Sequence, residues 1–191
     1  MASMDSKSPK TVQGHEQHLG INCLGTFLLT RLLTPTLVAT AKTAPANSVR
    51  VIWVSSLAAE MYSEKHKAFE MENLDYHVDK PILYKYGVSK SGAGHTASSS
   101  PSDTRPTVSS QGHAFKLMNS LILYPVPNGA ATQLFAAFSP EITLEQSGTW
   151  VIPFGRLATI RKDLLDATKT EEEGGNGGTH KFWEWSEEQV R

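Results

Sequence analysis

One short apolar run, Val51-Ile52-Trp53-Val54, constrains this chain most; it ends in Ser55-Ser56 and lies between two longer segments of helical spacing. A run so short, continuous and β-branched fits a strand buried on both faces of a parallel sheet. Serines at its C-terminal end then stand where open α/β sheets place their ligands. Upstream, Ile21, Leu24, Leu28 and Leu32 recur at helical spacing. Downstream, Tyr86-Gly87-Val88-Ser89-Lys90 puts a tyrosine and a lysine four residues apart, on one face of a helix. The order is a helix with Asn22, a strand with Ser55-Ser56, and a helix with Tyr86 and Lys90. The expected fold class is α/β.

The tyrosine–lysine pair points to chemistry. An ammonium held that close favours the phenolate and pulls the tyrosine pKa down from about 10. Reaching neutrality takes roughly 3 units, or about 4 kcal/mol. Such a phenol is a general acid/base for an alcohol or a carbonyl. The spacing alone recurs by chance; the ordered company of Asn22 and the two serines gives it weight.

On these residues the chain resembles the short-chain dehydrogenase/reductase family, from about His15 to Gly92. Ile21-Asn22-Cys23-Leu24-Gly25-Thr26-Phe27 is similar to that family's fourth helix, Val54-Ser55-Ser56 to its fifth strand, and Tyr86-Gly87-Val88-Ser89-Lys90 to its signature. The long interval from Ser56 to Tyr86, with Glu72-Asn73-Leu74 inside it, is similar to the retinol-dehydrogenase-like branch. A second match covers roughly Phe135 to Arg191. There Ser139-Pro140-Glu141-Ile142-Thr143, Gly155-Arg156 and Phe182-Trp183-Glu184-Trp185 resemble the C-terminal part of fungal members. The resemblance implies Tyr86 as acid/base, Lys90 as its tuner and ribose contact, Ser56 on the substrate oxygen and Asn22 organising a relay water. It implies NADP or NAD as cofactor, contacted by Lys90, Tyr86 and Asn22, and no metal. It also implies a secondary alcohol or ketone as substrate, in fungal members often an apolar polyketide or terpenoid of secondary metabolism. The two helices that usually form the family's dimer interface correspond to residues 18–40 and 82–94.

Two departures from the family pattern shape the expectation. The family opens with a strand and a glycine-rich turn whose N–H groups receive the cofactor pyrophosphate. Met1 to His18 contains nothing of that kind; its polar start also lacks the apolar core of a signal peptide. The expected fold is therefore a partial Rossmann-like one, a doubly wound parallel sheet lacking the N-terminal nucleotide-binding strands. Second, His95 to His113 is rich in Ser and Thr, carries two prolines and has almost nothing apolar to bury, so it is expected to be a flexible loop. An altered reading frame or splice and a genuine long surface loop both fit that stretch. The expected organisation is a disordered 1–14, a catalytic half at 15–94, the loop at 95–113 and a C-terminal part at 114–191.

Coarsely, helices are expected at 16–40, 64–72, 82–94, 114–123, 129–138, 160–169 and 180–190, with strands at 50–55 and 148–153. Gly92-Ala93-Gly94-His95-Thr96-Ala97 formally fits a dinucleotide fingerprint but follows a helix rather than a strand, so it reads as a helix end. Gly174-Gly175-Asn176-Gly177-Gly178 reads as a linker. His15 and His18 lack the companions of a zinc set and read as solvated. Phe182, Trp183 and Trp185 read as core or domain-edge packing. A single cysteine, Cys23, forbids an intrachain disulfide and suits a reducing compartment, so the expected location is cytoplasmic. A net charge of −1 offers no nucleic-acid surface. Leu24–Val38, interrupted by Thr30, Arg31, Thr34 and Thr36, is read as too short and too polar to span a bilayer. Two functions compete: an NAD(P)-dependent oxidoreductase, and an inactive shortened remnant that acts as interaction partner of a full-length relative.

Overall fold

The computed structural model describes residues 9–65, 69–94, 99–101 and 125–191. The first helix, α1, runs Gln17–Ala41. It is not uniform: Gly20–Gly25 is a π turn, and Thr26–Ala41 is α-helical. Glu16 starts it by accepting from Leu19 N at 2.9 Å. In the π turn, the Thr26 hydroxyl donates to the carbonyls of Asn22 at 2.7 Å and Cys23 at 3.0 Å, which a wide turn leaves for side chains. Part of the expected loose terminus is tied down here. Gln17 N donates to the Pro9 carbonyl at 3.0 Å, and Lys10 bridges Glu16; residues 1–8 lie outside the described residues.

Strand β1 is Trp53–Ser55, shorter than the expected 50–55, with Trp53 and Ser55 buried. Helix α2 follows at once, at Leu57–Tyr62. It replaces the helix expected at 64–72, where the described residues form only a 3-10 turn at Met71–Asn73. The reason is local. Ser56 is a strong N-cap, its Oγ accepting from Ala58 N at 3.2 Å, and Leu57-Ala58-Ala59-Glu60-Met61 are good helix formers. Helix α3, Ile82–Gly94, carries Tyr86 and Lys90. Beyond it, β2 is Ser99–Pro101, α4 Val126–Phe138, β3 Trp150–Ile152, β4 Arg156–Ala158, α5 Lys162–Asp166 and α6 Gly178–Gln189. Helix α4 starts earlier than expected because Pro127 lies in its first turn, where a missing N–H costs no bond.

The α/β class is what the chain shows, yet its sheet is small. β1 pairs in parallel with β2, Trp53 opposite Ser99. β3 pairs antiparallel with β4, Trp150 opposite Ala158. Among the described residues, one parallel pair and one hairpin stand where a doubly wound parallel sheet was expected. Ser99–Pro101 has strand backbone inside the stretch read as loop. The rest of 95–113 and the helix expected at 114–123 lie outside the described residues.

The main core joins Leu19 and Cys23 of α1, Phe69, Leu74, Val88 of α3, Leu164, Ala167 and Phe182 of α6. Phe182 stacks on Phe69 with centroids 4.0 Å apart, so that aromatic is core packing as read. Two arginines clamp helix C-termini, whose last carbonyls lack partners within the helix. Arg50 donates to the carbonyls of Ala136, Ser139 and Ile142 beyond and within the end of α4. Arg161 donates to the Glu60 carbonyl and the Ser63 hydroxyl at the end of α2.

The length argument against a membrane does not survive the structure. Helix α1 is continuous through Gln17–Ala41 and is long and apolar enough to cross one. Its first turns are buried against α3, whereas Leu28, Leu29, Leu32, Leu33 and Val38 are exposed. Helices α2 and α3 cross at Gly87, where an added Cβ would lie 2.6 Å from both the Ala58 carbonyl oxygen and Tyr62 Cβ. Backbone cannot yield there as a flexible side chain would. Gly87→Ala is expected to cost about 1–3 kcal/mol through overpacking, read as a lower urea midpoint; an unchanged midpoint would show that the crossing is loose.

Candidate active site

The site forms where the C-terminal end of β1 meets α3. Tyr86 and Lys90 lie one helical turn apart, both half-buried. Lys90 Nζ sits over the Tyr86 ring, 5.9 Å from its centroid, and donates to the Val54 carbonyl at 3.2 Å. Burial holds the Lys90 ammonium below the usual lysine range, since desolvation penalises the charged form. A cation that is partly desolvated acts on a neighbouring phenol more strongly than one in water.

Three side chains fix the α3 backbone at this point. Ser55 Oγ donates to the Lys90 carbonyl at 2.8 Å. Ser89 Oγ donates to the Tyr86 carbonyl at 2.7 Å and accepts from Asn22 Nδ2 at 2.9 Å. Cys23 Sγ donates to the Ser89 carbonyl at 2.9 Å. The π turn therefore aims two consecutive residues, Asn22 and Cys23, at one buried residue of α3. Ser56 stands at the end of β1 as the cap of α2. Asn22 is thus joined to the Tyr86 helix through Ser89, and Ser56 lies on the element packed against it.

Sequence reasoning placed Ser55 at the ligand end of β1 but missed its bond to α3, and it missed Ser89, which read only as a neighbour of site residues. It also missed His18. Far from solvated, His18 is fully buried, and its Nδ1 lies 2.7 Å from Glu16 Oε1. Its ring meets Tyr86 edge-on, with centroids 5.8 Å apart and planes at 72°. His18 is four residues before Asn22, so helical spacing puts the two on one face, but only the packing of α1 on α3 buries that face. His15 is half-buried, its ring edge-on to Trp185.

Among the described residues, neither Gly92 nor the Gly174–Gly178 stretch offers N–H groups to a phosphate, and residues 95–97 of the first stretch lie outside them. Gly92 is inside α3, where a Cβ would lie 2.6 Å from Cys23 Sγ and 3.0 Å from Phe182, so it serves helix packing. In Gly174–Gly178 the N–H groups are already bonded: Gly175 to the Thr170 carbonyl, Gly177 to the Lys169 carbonyl and Gly178 to Asn176 Oδ1. Tyr86 and Lys90 stand together on one face of α3. The described residues show no matching receptor for the pyrophosphate.

Burial pushes the Cys23 thiol up to about 12. The folded state then keeps a proton that the unfolded chain loses near pH 9, so stability falls as pH rises from there toward 12. Cys23→Ala is expected to remove up to about 1.4 kcal/mol per pH unit of that alkaline slope, measured by urea unfolding at pH 8, 9 and 10. An identical slope in both proteins would mean Cys23 is accessible.

Three relatives align over nearly the whole of this sequence. A short-chain dehydrogenase/reductase of Phomopsis amygdali is 43% identical over 96% of the chain and 61% of its own length. One from Neocamarosporium betae is 42% identical over 95% of the chain and 57% of its own length. A third, from Emericella nidulans, is 40% identical over 95% of the chain and 61% of its own length. The chain thus spans about three-fifths of the length of the relatives it matches. No family profile and no solved structure matches it.

Proposed function

The chain belongs by sequence to the short-chain dehydrogenase/reductase family, and from that premise we propose that its Tyr86–Lys90 site performs NAD(P)-dependent oxidoreduction of a secondary alcohol or ketone. The observation that carries the reading is Lys90 Nζ over the Tyr86 ring, on a helix locked to the end of β1. In the reducing direction, hydride reaches the carbonyl carbon and Tyr86 Oη gives its proton to the carbonyl oxygen, yielding the alcohol; oxidation reverses both transfers. NADP or NAD, when bound, supplies or takes the hydride. Lys90 stabilises the phenolate left on Tyr86 and contacts the ribose. Ser56 already accepts from Ala58 N, so its own O–H proton is the one directed at the substrate oxygen. Asn22 keeps its side-chain oxygen for a relay water, its Nδ2 being engaged by Ser89.

The substrate is an apolar alcohol or ketone of fungal secondary metabolism, a reading by analogy with similar fungal members. The sheet would be completed as the Rossmann-like fold of such relatives, and the buried thiol of Cys23 suits a cytoplasmic setting. The exposed leucines of α1 favour a homo- or heterodimer. Of the two helices expected at that interface, α1 offers a free apolar face, whereas α3 is already flanked by α1 and α2. The same face supports the second reading, an inactive partner of a full-length relative.

A thermal unfolding scan with NADPH or NADH tests the first reading. A cofactor at 100 times its Kd stabilises the native state by about 2.7 kcal/mol, a clear rise in Tm. Tyr86→Phe is then expected to keep that rise and to lower kcat by about 10²–10⁴-fold. A Tm blind to both nucleotides at millimolar concentration would reject the enzymatic reading. Co-sedimentation with a full-length relative would then favour the partner reading.

A further inference from the structure

We propose that Glu16 and His18 form a buried positioning pair that fixes the ring of Tyr86 against Lys90. The proposal rests on the reading of Tyr86 as the proton-transfer group.

Glu16 is 4% exposed and His18 is not exposed at all. A carboxylate can only accept, so the 2.7 Å contact assigns the proton to His18 Nδ1. The second carboxylate oxygen, Oε2, accepts from Leu19 N at 2.9 Å. Two bonds fix the carboxylate, and the carboxylate fixes the plane of the imidazole. That plane stands at 72° to the Tyr86 ring. Lys90 Nζ approaches the same ring at 5.9 Å. The phenol ring is thus contacted both by the oriented His18 ring and by the ammonium on its own helix.

Stability alone does not account for the pair. His18 Nε2 is buried with no hydrogen-bond partner among the described residues. An apolar side chain of similar volume would avoid that penalty. The cap that Glu16 provides does not require a histidine two residues on. What the imidazole adds is a wall beside Tyr86 whose orientation is set by a charge-assisted bond. Position matters here because the ammonium–phenolate attraction falls with distance and rises in a partly dry site.

The test is a titration of the Tyr86 phenol in the full chain. Tyrosine is labelled with 13C at Cζ, and the Tyr86 signal is identified by its loss in Tyr86→Phe. Lys90→Met is made in the native background and again in His18→Ala and Glu16→Gln. In the native background Lys90→Met is expected to raise the Tyr86 midpoint by about 1 unit or more. In either pair variant the same substitution should raise it by less than half as much. Equal shifts in all three backgrounds overturn the positioning role while leaving Lys90 as the tuner of Tyr86. No shift in the native background overturns the reading of the site itself, and the proposal with it. His18→Gln retains an N–H donor for Glu16 and should restore part of the coupling. Restoration by His18→Leu instead would reduce His18 to a space-filling residue. If His18→Ala does not fold, Glu16→Gln carries the comparison.

Discussion

Contact between the π turn of α1 and Ser89 on α3 is the constraint on which the site depends. Asn22 and Cys23 are consecutive, yet both reach the same residue, one at its hydroxyl and one at its carbonyl. A regular α-helix turns about 100° per residue, which would swing two such neighbours apart. A wider turn brings them closer in direction. Ser89 is wholly buried and passes the constraint on to the Tyr86 carbonyl. Ser55 adds a third hold at the Lys90 carbonyl. Rotation of α3 by one residue would break all these bonds and carry Tyr86 and Lys90 away from the strand end.

Burying so many polar groups costs desolvation and gains specificity only where every partner is met. At the α1–α3 contact the Ser89 hydroxyl, the Cys23 thiol and Asn22 Nδ2 are met. Four buried polar atoms among the described residues lack a partner, at His18, Tyr76, Trp150 and Thr179, and of these Nε2 of His18 belongs to the ring that meets Tyr86. Elsewhere the polar knots are structural. Arg50 and Arg161 each gather several carbonyls at a helix end, and their cations oppose the negative end of the helix dipole. The apolar face of α1 is the reverse case. Thr30, Thr34 and Thr40 return their hydroxyls to carbonyls four residues back, so the helix surface around the exposed leucines makes few demands on solvent.

The chain's own pattern made some of this legible. The Tyr86–Lys90 spacing, the strand before the serines and the helical period through Ile21 and Leu24 are local signals, and each element formed. A helix was expected at 64–72, whereas Ser56 followed by strong helix formers starts α2 at Leu57–Tyr62, a local sign in the sequence. The role of Ser89 and the burial of His18 were not legible. A serine within the signature and a histidine near a polar terminus are each ordinary on their own.

Sequence by itself determined the succession of helix, strand and helix that carries Asn22, Ser56 and Tyr86, and the facing of Tyr86 and Lys90, because those rest on periodicity and on spacing within one turn of helix. Tertiary structure alone decided that Asn22 and Cys23 share one partner, that Glu16 and His18 are buried together beside Tyr86, and that α1 leaves its leucines exposed. Those outcomes depend on which residues meet across some 70 positions of chain. That is a matter of packing and desolvation, and no local pattern encodes it.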